Sequence, residues 1–344
     1  LIKQLEIPEF LTQSAGHLTL DVRSEAEYAY GHIPGAVNLP LFNNDERKVV
    51  GTLYKQKGKQ DAILQGLDIT GPKMSAFVRF VQQSTSENKV FVHCWRGGMR
   101  SGSMAWLLNL FGYEVYTLKG GYKSYRHRSL EIIGYKYKFI IIGGRTGTGK
   151  TAALRQLQAR GEQIIDLEQL ANHKGSAFGA LGQAPQPSTE HFENLLATEL
   201  QKLSPEKRIW LEDESKTIGR VFLDLNLWKN MCASPIFVID IPFQLRLKRL
   251  VSDYSENNMK QLEQAILNIQ KRLGNEQCKN AIDALHEKKF ERVAEITLNY
   301  YDKAYDKSLA LKAGKEIVRF SFEEDNMEHI AAELINTANR KYGN

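Results

Sequence analysis

Two consecutive α/β domains with mainly parallel sheets, the second ending in a helical part, are what this sequence predicts. Three observations carry that fold class. The chain has 344 residues, too many for one ordinary core. Short apolar runs alternate with helical stretches, the pattern of strand–helix–strand units. Two glycine-bearing loops, at 94–101 and 144–151, each stand between an apolar run and a helical stretch. The boundary is placed in a basic segment after Leu118, giving domains 1–128 and 129–344.

In the first domain, residues 17–22 read as a strand ending in Asp21-Val22-Arg23-Ser24. Gly31-His32-Ile33-Pro34-Gly35-Ala36 is a turn, punctuated by its glycines and proline. Residues 89–92 are a buried strand that runs into His93-Cys94. Residues 101–111 have helical apolar spacing, Gly112 ends that helix, and 113–118 return as a strand. In the segment 119–138, Lys119, Lys123, Arg126, Arg128, Lys136 and Lys138 face only Glu131 and are interleaved with Tyr122, Tyr125, Tyr135 and Tyr137. Two readings stand: a solvated linker, or a nucleic-acid contact in which cations meet phosphates and tyrosines stack on bases.

In the second domain, 139–142 form a strand, a glycine loop follows, and 151–160 form a helix stopped by Gly161. Further strands are expected at 163–167, 208–211 and 236–241, and mostly helix from 243 onward. Arg246 and Arg249 share a helix face; they could meet phosphate, but are read first as solvated surface arginines.

The composition, 42% apolar and 25% charged, is that of a soluble globular protein. No run of about 18 apolar residues occurs, so no membrane span is expected, and residues 1–10 lack the sections of a secretory leader. Cys94, Cys232 and Cys278 are too few and scattered for a disulfide framework or zinc site. A cytoplasmic location fits these features. The net charge of +6 permits a polyanionic partner.

Gly144-Arg145-Thr146-Gly147-Thr148-Gly149-Lys150-Thr151 matches G-x-x-x-x-G-K-[ST] at every fixed position, in the right strand–loop–helix context. Such a P-loop turns consecutive N–H groups around a phosphate and adds the positive end of a helix. Lys150 is expected at the terminal phosphate and the Thr151 hydroxyl at Mg²⁺. Glu212 and Asp213 are the preferred carboxylates for orienting that metal, with Asp166 and Glu168 as competitors. Diphosphates other than ATP satisfy the same cradle.

The second dense signal is His93-Cys94-Trp95-Arg96-Gly97-Gly98-Met99-Arg100-Ser101. A cysteine between strand and helix faces converging amides, and with Arg96 and Arg100 that field favours the thiolate, the nucleophilic form. The donors from Arg96 to Ser101 also suit a tetrahedral oxyanion. Cys232 and Cys278 have no such loop and are read as inert.

Residues 5–128, with the loop and the two motifs of the first domain, resemble the rhodanese superfamily. One feature departs: five residues separate Cys94 from Arg100, one more than in many sulfurtransferases and the same as in cysteine phosphatases. A larger ring suits a phosphate-sized group, so phosphatase chemistry is a real alternative. Over both domains the chain resembles the tRNA 2-selenouridine synthase family. The matching segments are 93–101, Lys119-Gly120-Gly121-Tyr122-Lys123-Ser124-Tyr125-Arg126, 143–151, 172–179, Leu211-Glu212-Asp213-Glu214-Ser215 and Tyr300-Tyr301-Asp302.

That resemblance implies a substrate, the wobble 2-thiouridine of tRNA, and two reactions. A geranyl group from geranyl diphosphate goes onto the sulfur; selenium from selenophosphate then replaces the geranylated sulfur, carried by Cys94 as a cysteine-bound selenide. No tightly bound cofactor is expected, although Mg²⁺ has a place at the P-loop. The tRNA and a selenophosphate supply enzyme are the expected partners, and Lys119, Tyr122, Lys123, Tyr125, Arg126 and Arg128 the expected tRNA contacts. The alternatives are a phosphatase fused to a kinase-like domain and a non-catalytic tRNA-binding or regulatory protein.

Overall fold

The computed structural model describes residues 1–176, 178–255, 258–312 and 314–343. It contains two compact units, Leu1–Ile132 with Glu193–Thr198, and Ile133–Phe192 with Glu199–Asn344.

The first unit holds β1 (Ile2–Leu5), α1 (Ile7–Ser14), β2 (Leu18–Asp21), α2 (Glu25–Tyr30), β3 (Val37–Asn38), α3 (Asn44–Gln56), α4 (Lys59–Thr70), α5 (Met74–Ser84), β4 (Lys89–His93), α6 (Met99–Leu110), β5 (Glu114–Leu118) and α7 (Gly121–Ile133). Its strands form one parallel sheet in the order β1-β5-β4-β2-β3. Val90, Val92, Leu20 and Val115 bury one sheet face against Phe77, Val81, Met104 and Leu108 of the helices. Burial of both faces is why these strands read as nearly continuous apolar runs.

The second unit holds β6 (Lys138–Gly143), α8 (Lys150–Ala159), β7 (Gln163–Ile165), α9 (Leu167–Leu170), α10 (Thr189–Gln201), β8 (Arg208–Glu212), β9 (Thr217–Ile218), β10 (Val221–Phe222), α11 (Leu225–Ala233) and β11 (Ile236–Asp240). It continues through α12 (Phe243–Ser255), α13 (Met259–Asn268), α14 (Gln270–Leu273), α15 (Asn275–His286), α16 (Phe290–Ala310), β12 (Ile317–Ser321) and α17 (Met327–Tyr342). The main sheet is again parallel, in the order β12-β11-β6-β8-β7. Ligands in such sheets sit outside the carboxyl ends of the strands, where both glycine loops lie.

One sequence expectation is corrected here. The basic segment after Leu118 is no linker: Gly121–Ile133 is a helix with Tyr122, Tyr125 and Ile133 buried. The part beyond residue 243 is mostly helical, as expected, and adds one strand, β12, which pairs along β11 and extends the sheet. Its pattern Ile317-Val318-Arg319-Phe320 is too short to stand out between long helices.

Candidate active site

In the first unit, β4 delivers Cys94 to the start of α6, and the residue is 3% exposed. Burial pushes the thiol up, but hydrogen bonds from the Ser101 hydroxyl and the amides of Ser101 and Arg96, with the Arg100 charge, outweigh it and hold the group below its usual range. Ser101 Oγ lies 3.2 Å from Sγ and 3.1 Å from the Gly98 carbonyl. Its single proton serves one of them, and aimed at sulfur it favours the thiolate. Arg100 makes a two-pronged pair with Glu27 at 2.7 and 3.3 Å. Glu27 also closes the capping box of α2 with Ser24. Sequence reasoning missed Glu27 because its partner lies 73 positions away.

Gly97 and Gly121 explain the glycines of two motifs. Gly97 has φ +64°, and a Cβ there would fall 2.5 Å from the Leu118 carbonyl. Gly121 has φ +61°, and a Cβ there would fall 2.4 Å from both the Cys94 carbonyl and the Gly97 nitrogen. The first turn of α7 then donates from Tyr122 to Cys94 O at 2.8 Å and from Lys123 to Trp95 O at 2.9 Å. These bonds tie up loop carbonyls, while the Arg96 and Ser101 amides turn to the Cys94 sulfur. Gly98 precedes α6 and Met99 opens it with its side chain exposed; Arg96 is exposed and has no ion-pair partner among the described residues.

Two of the expected tRNA-contacting residues, Tyr122 and Tyr125, are corrected by this arrangement: they are 0% and 4% exposed. Stacking on a base needs an open ring face. Tyr122 instead covers the Arg23 guanidinium at 3.7 Å, and Arg23 pairs with Asp21 at 2.5 Å. Arg126 is also committed, to Glu193 and to Asn194 Oδ1 at 2.7 Å. Lys119 pairs with Glu6 in an exposed setting, Arg128 with Glu131, and Lys123 is exposed.

In the second unit, β6 feeds the glycine loop and α8. Gly144, Gly147 and Gly149 have φ +152°, +82° and +79°, values that leave little room for a side chain. A Cβ on Gly149 would lie 1.8 Å from Arg249 Nη1. Thr148 Oγ1 donates to Arg145 O at 2.8 Å, bracing the turn, and Lys150 Nζ reaches Gly144 O at 3.2 Å. Gly144, Thr146, Gly147, Gly149, Lys150 and Thr151 line a cavity of about 500 Å³.

The carboxylates in that cavity are Glu168, Glu212 and Glu214, whose ligand oxygens lie within 4.8 Å of one another. Burial and then the Glu214 charge push Glu168 up to about 8, while burial with neighbouring carboxylates raises Glu212 and Glu214 to about 7; Lys150 lowers each. Glu212 Oε1 is buried without a hydrogen-bond partner. A bound divalent cation would offset the crowding and give that orphaned oxygen a partner, so the trio fits the metal that the motif implies, with hard oxygen ligands. Glu212, one of the two carboxylates preferred from the sequence, turns into this group. Asp213, the other, does not: both its oxygens are held by Lys312, the farther at 2.6 Å. Asp166 caps α9 through Gln169 N at 2.8 Å. Glu214 was missed, since adjacency in Glu212-Asp213-Glu214 does not tell which side chains turn inward.

The remaining motifs build the same cavity. Gly175, with φ +68°, passes over the carboxylates so closely that a Cβ would lie 2.5 Å from Glu168 Oε1; position 177 of that motif is outside the described residues. Asp302 takes two 2.8 Å bonds from Arg246, which also donates to Thr146 O at 3.2 Å. Arg246 is 3% exposed, so it buttresses the loop and is not the solvated arginine expected. Arg249 donates to Gly147 O at 3.3 Å and pairs with Asp325.

The molecule thus joins a rhodanese-like unit, whose loop cysteine is held below the usual thiol range, to an α/β unit with a glycine loop between strand and helix. Residues 8–128 match the model for the rhodanese-like domain, and residues 137–337 that for the tRNA 2-selenouridine synthase AAA domain. A tRNA 2-selenouridine synthase of Sulfurovum sp. (strain NBC37-1) is 35% identical, the match covering 89% of this chain and 92% of that one. One from Marinobacter nauticus is 35% identical, over 87% and 90%, and one from Psychromonas ingrahamii 32% identical, over 89% and 91%. The chain belongs to the tRNA 2-selenouridine synthase family, enzymes that act on tRNA. No helix among the described residues is long and apolar enough to cross a membrane.

Proposed function

We propose that the enzyme modifies a 2-thiouridine of tRNA in two steps, S-geranylation at the glycine loop and selenium insertion at Cys94. The observation that carries the first step is the make-up of the 500 Å³ cavity. Beyond the phosphate cradle and the carboxylates, part of its wall is Phe178, Leu181, Leu250, Tyr301 and Ala304, a surface for a hydrocarbon chain attached to a diphosphate. In this step the base sulfur attacks C1 of geranyl diphosphate, the C–O bond breaks, diphosphate departs and the base loses its N3 proton. Loop amides and Lys150 hold the charge of the leaving diphosphate. A bound Mg²⁺ would neutralise part of that charge, and Glu168, Glu212 and Glu214 are the residues to hold it.

The second step uses the larger cysteine loop. Amides and Arg96 hold the phosphoryl oxygens of selenophosphate, and the Cys94 thiolate attacks phosphorus. An S–P bond forms, the P–Se bond breaks, and selenide leaves with its electron pair. Selenide adds at C2 of the base and expels geranylthiol, which takes a proton from solvent; water then frees phosphate from Cys94. Attack at selenium, which the selenide-carrier reading implies, expels phosphite unless an oxidant is supplied. The five-residue spacing, suited to a phosphate-sized group, supports attack at phosphorus.

The test incubates thiolated tRNA with geranyl diphosphate and selenophosphate and weighs the digested nucleosides. Lys150→Ala should block geranylation, whereas Cys94→Ser should let geranylated uridine accumulate. Normal selenouridine from Cys94→Ser would remove Cys94 from the chemistry. Intact-mass analysis of quenched enzyme separates a phosphoryl from a selenium adduct.

A further inference from the structure

The first unit carries another concavity. A cleft of about 970 Å³ opens among α3, α4, α5 and α6, at the upper end of the roughly 300–1,000 Å³ typical of small-molecule sites. Its wall is apolar, with Leu41, Phe42, Leu67, Met74, Phe77 and Trp106. Leu67 and Trp106 are each 54% exposed, so the wall stands open to an incoming group. Its rim carries Arg47, Lys48 and Lys55 on α3 and Arg100 on α6; Arg47 and Arg100 both face Glu27, at 3.7 and 2.7 Å, so Lys48 and Lys55 supply its free positive charge. Lys48 and Lys55 are exposed and have no ion-pair partner among the described residues.

The cleft is tied to the cysteine loop through α6. Met99 and Arg100, which line it, are the first residues of that helix and follow the loop directly. Ser101, next in sequence, is 3.2 Å from the Cys94 sulfur. An apolar floor one helical turn from the cysteine loop, under a rim carrying Lys48 and Lys55, fits an apolar chain attached to a polyanion. A neutral lipid would gain nothing from the rim, and a bare phosphate nothing from the floor.

We propose that this cleft holds the hydrocarbon chain on the sulfur of an S-alkylated uridine, its rim meeting the flanking phosphates, while the Cys94 loop acts on the ring. This assignment rests on the two-step reading above and deepens its second step: it names where the leaving group lies before it departs as a thiol. The geranyl donor and the geranylated base are thereby given different apolar walls.

The experiment measures binding of synthetic anticodon stem-loops carrying 2-thiouridine, S-methyl-2-thiouridine or S-geranyl-2-thiouridine to the full chain. The S-geranyl stem-loop should bind at least about tenfold more tightly than the S-methyl one, the order expected for burying several methylenes. Leu67→Gln and Trp106→Gln, both at exposed positions, should each shrink that preference severalfold and leave affinity for the 2-thiouridine stem-loop unchanged. Tryptophan emission should shift to shorter wavelength with the S-geranyl stem-loop alone, and Trp106→Phe should abolish the shift. Equal affinity for the S-methyl and S-geranyl forms overturns the proposal, as does a preference that survives both cleft variants. Displacement by an acidic amphipathic peptide, without any S-geranyl preference, would make the face a protein dock and also overturn it. Because the stem-loops are supplied already alkylated, failure of geranyl transfer would leave this measurement intact, so the two readings fail separately.

Discussion

In the first unit β4 feeds a glycine loop and α6; in the second β6 feeds a glycine loop and α8. Both loops lie at the carboxyl edge of a parallel sheet, and both aim amides at the space above it. They differ in what surrounds the amides. Around Cys94 stand Ser101, Arg96 and Arg100, and the carboxylate in reach, Glu27, is bound to Arg100. Around Lys150 stand three carboxylates crowded within 4.8 Å. The same backbone device therefore serves opposite needs. One loop favours the anionic form of its own sulfur, whereas the other gathers carboxyl groups whose negative charge must be balanced by protons, by Lys150 or by a metal ion.

The comparison breaks most severely at the nucleophile. Cys94→Ser should reduce selenouridine formation to below about one part in 10³, with geranylated tRNA as the nucleoside that accumulates. Lys150→Ala should slow geranyl transfer by roughly 10²–10³-fold, the loss typical of one oxyanion donor, measured by single-turnover mass analysis. The metal side is read without turnover. Mg²⁺ at about 100 times its Kd should stabilise the wild type by roughly 2.7 kcal/mol; Glu212→Gln should raise the melting temperature in EDTA and cancel the Mg²⁺ effect in calorimetry.

The sulfur side is read by pH. Only the thiolate alkylates, its fraction rises with pH, and a lowered thiol titration moves that rise to lower pH. Iodoacetamide labelling of Cys94 should therefore turn on below the range of a free thiol. Ser101→Ala should move the midpoint up, and an unmoved midpoint would deny Ser101 its part. The smallest effect is expected at Lys123, an exposed cation: Lys123→Glu should weaken tRNA binding severalfold and reduce the salt slope by about one.

Both loops were legible because each is written within a dozen consecutive residues, where spacing alone fixes geometry. Roles that depend on distant partners were not. Asp213 looked like a metal ligand until Lys312, 99 positions on, took both oxygens. Tyr122 and Tyr125 lie among lysines and arginines in the sequence, yet on α7 they share the face turned inward. Arg246 looked solvated because Asp302, on another helix, cannot be read from the α12 pattern. The fold class was clear from strand–helix alternation; β12, a short strand between long helices, was not.

The close approach of Gly121 to the Cys94 carbonyl and the Gly97 nitrogen makes two distant stretches of chain one mechanical part. Position 121 is 27 residues beyond the nucleophile, yet nothing but hydrogen separates its α-carbon from the loop that shapes the reaction. A single methyl group there, as in Gly121→Ala, would be felt at the sulfur before it was felt anywhere in the apolar core.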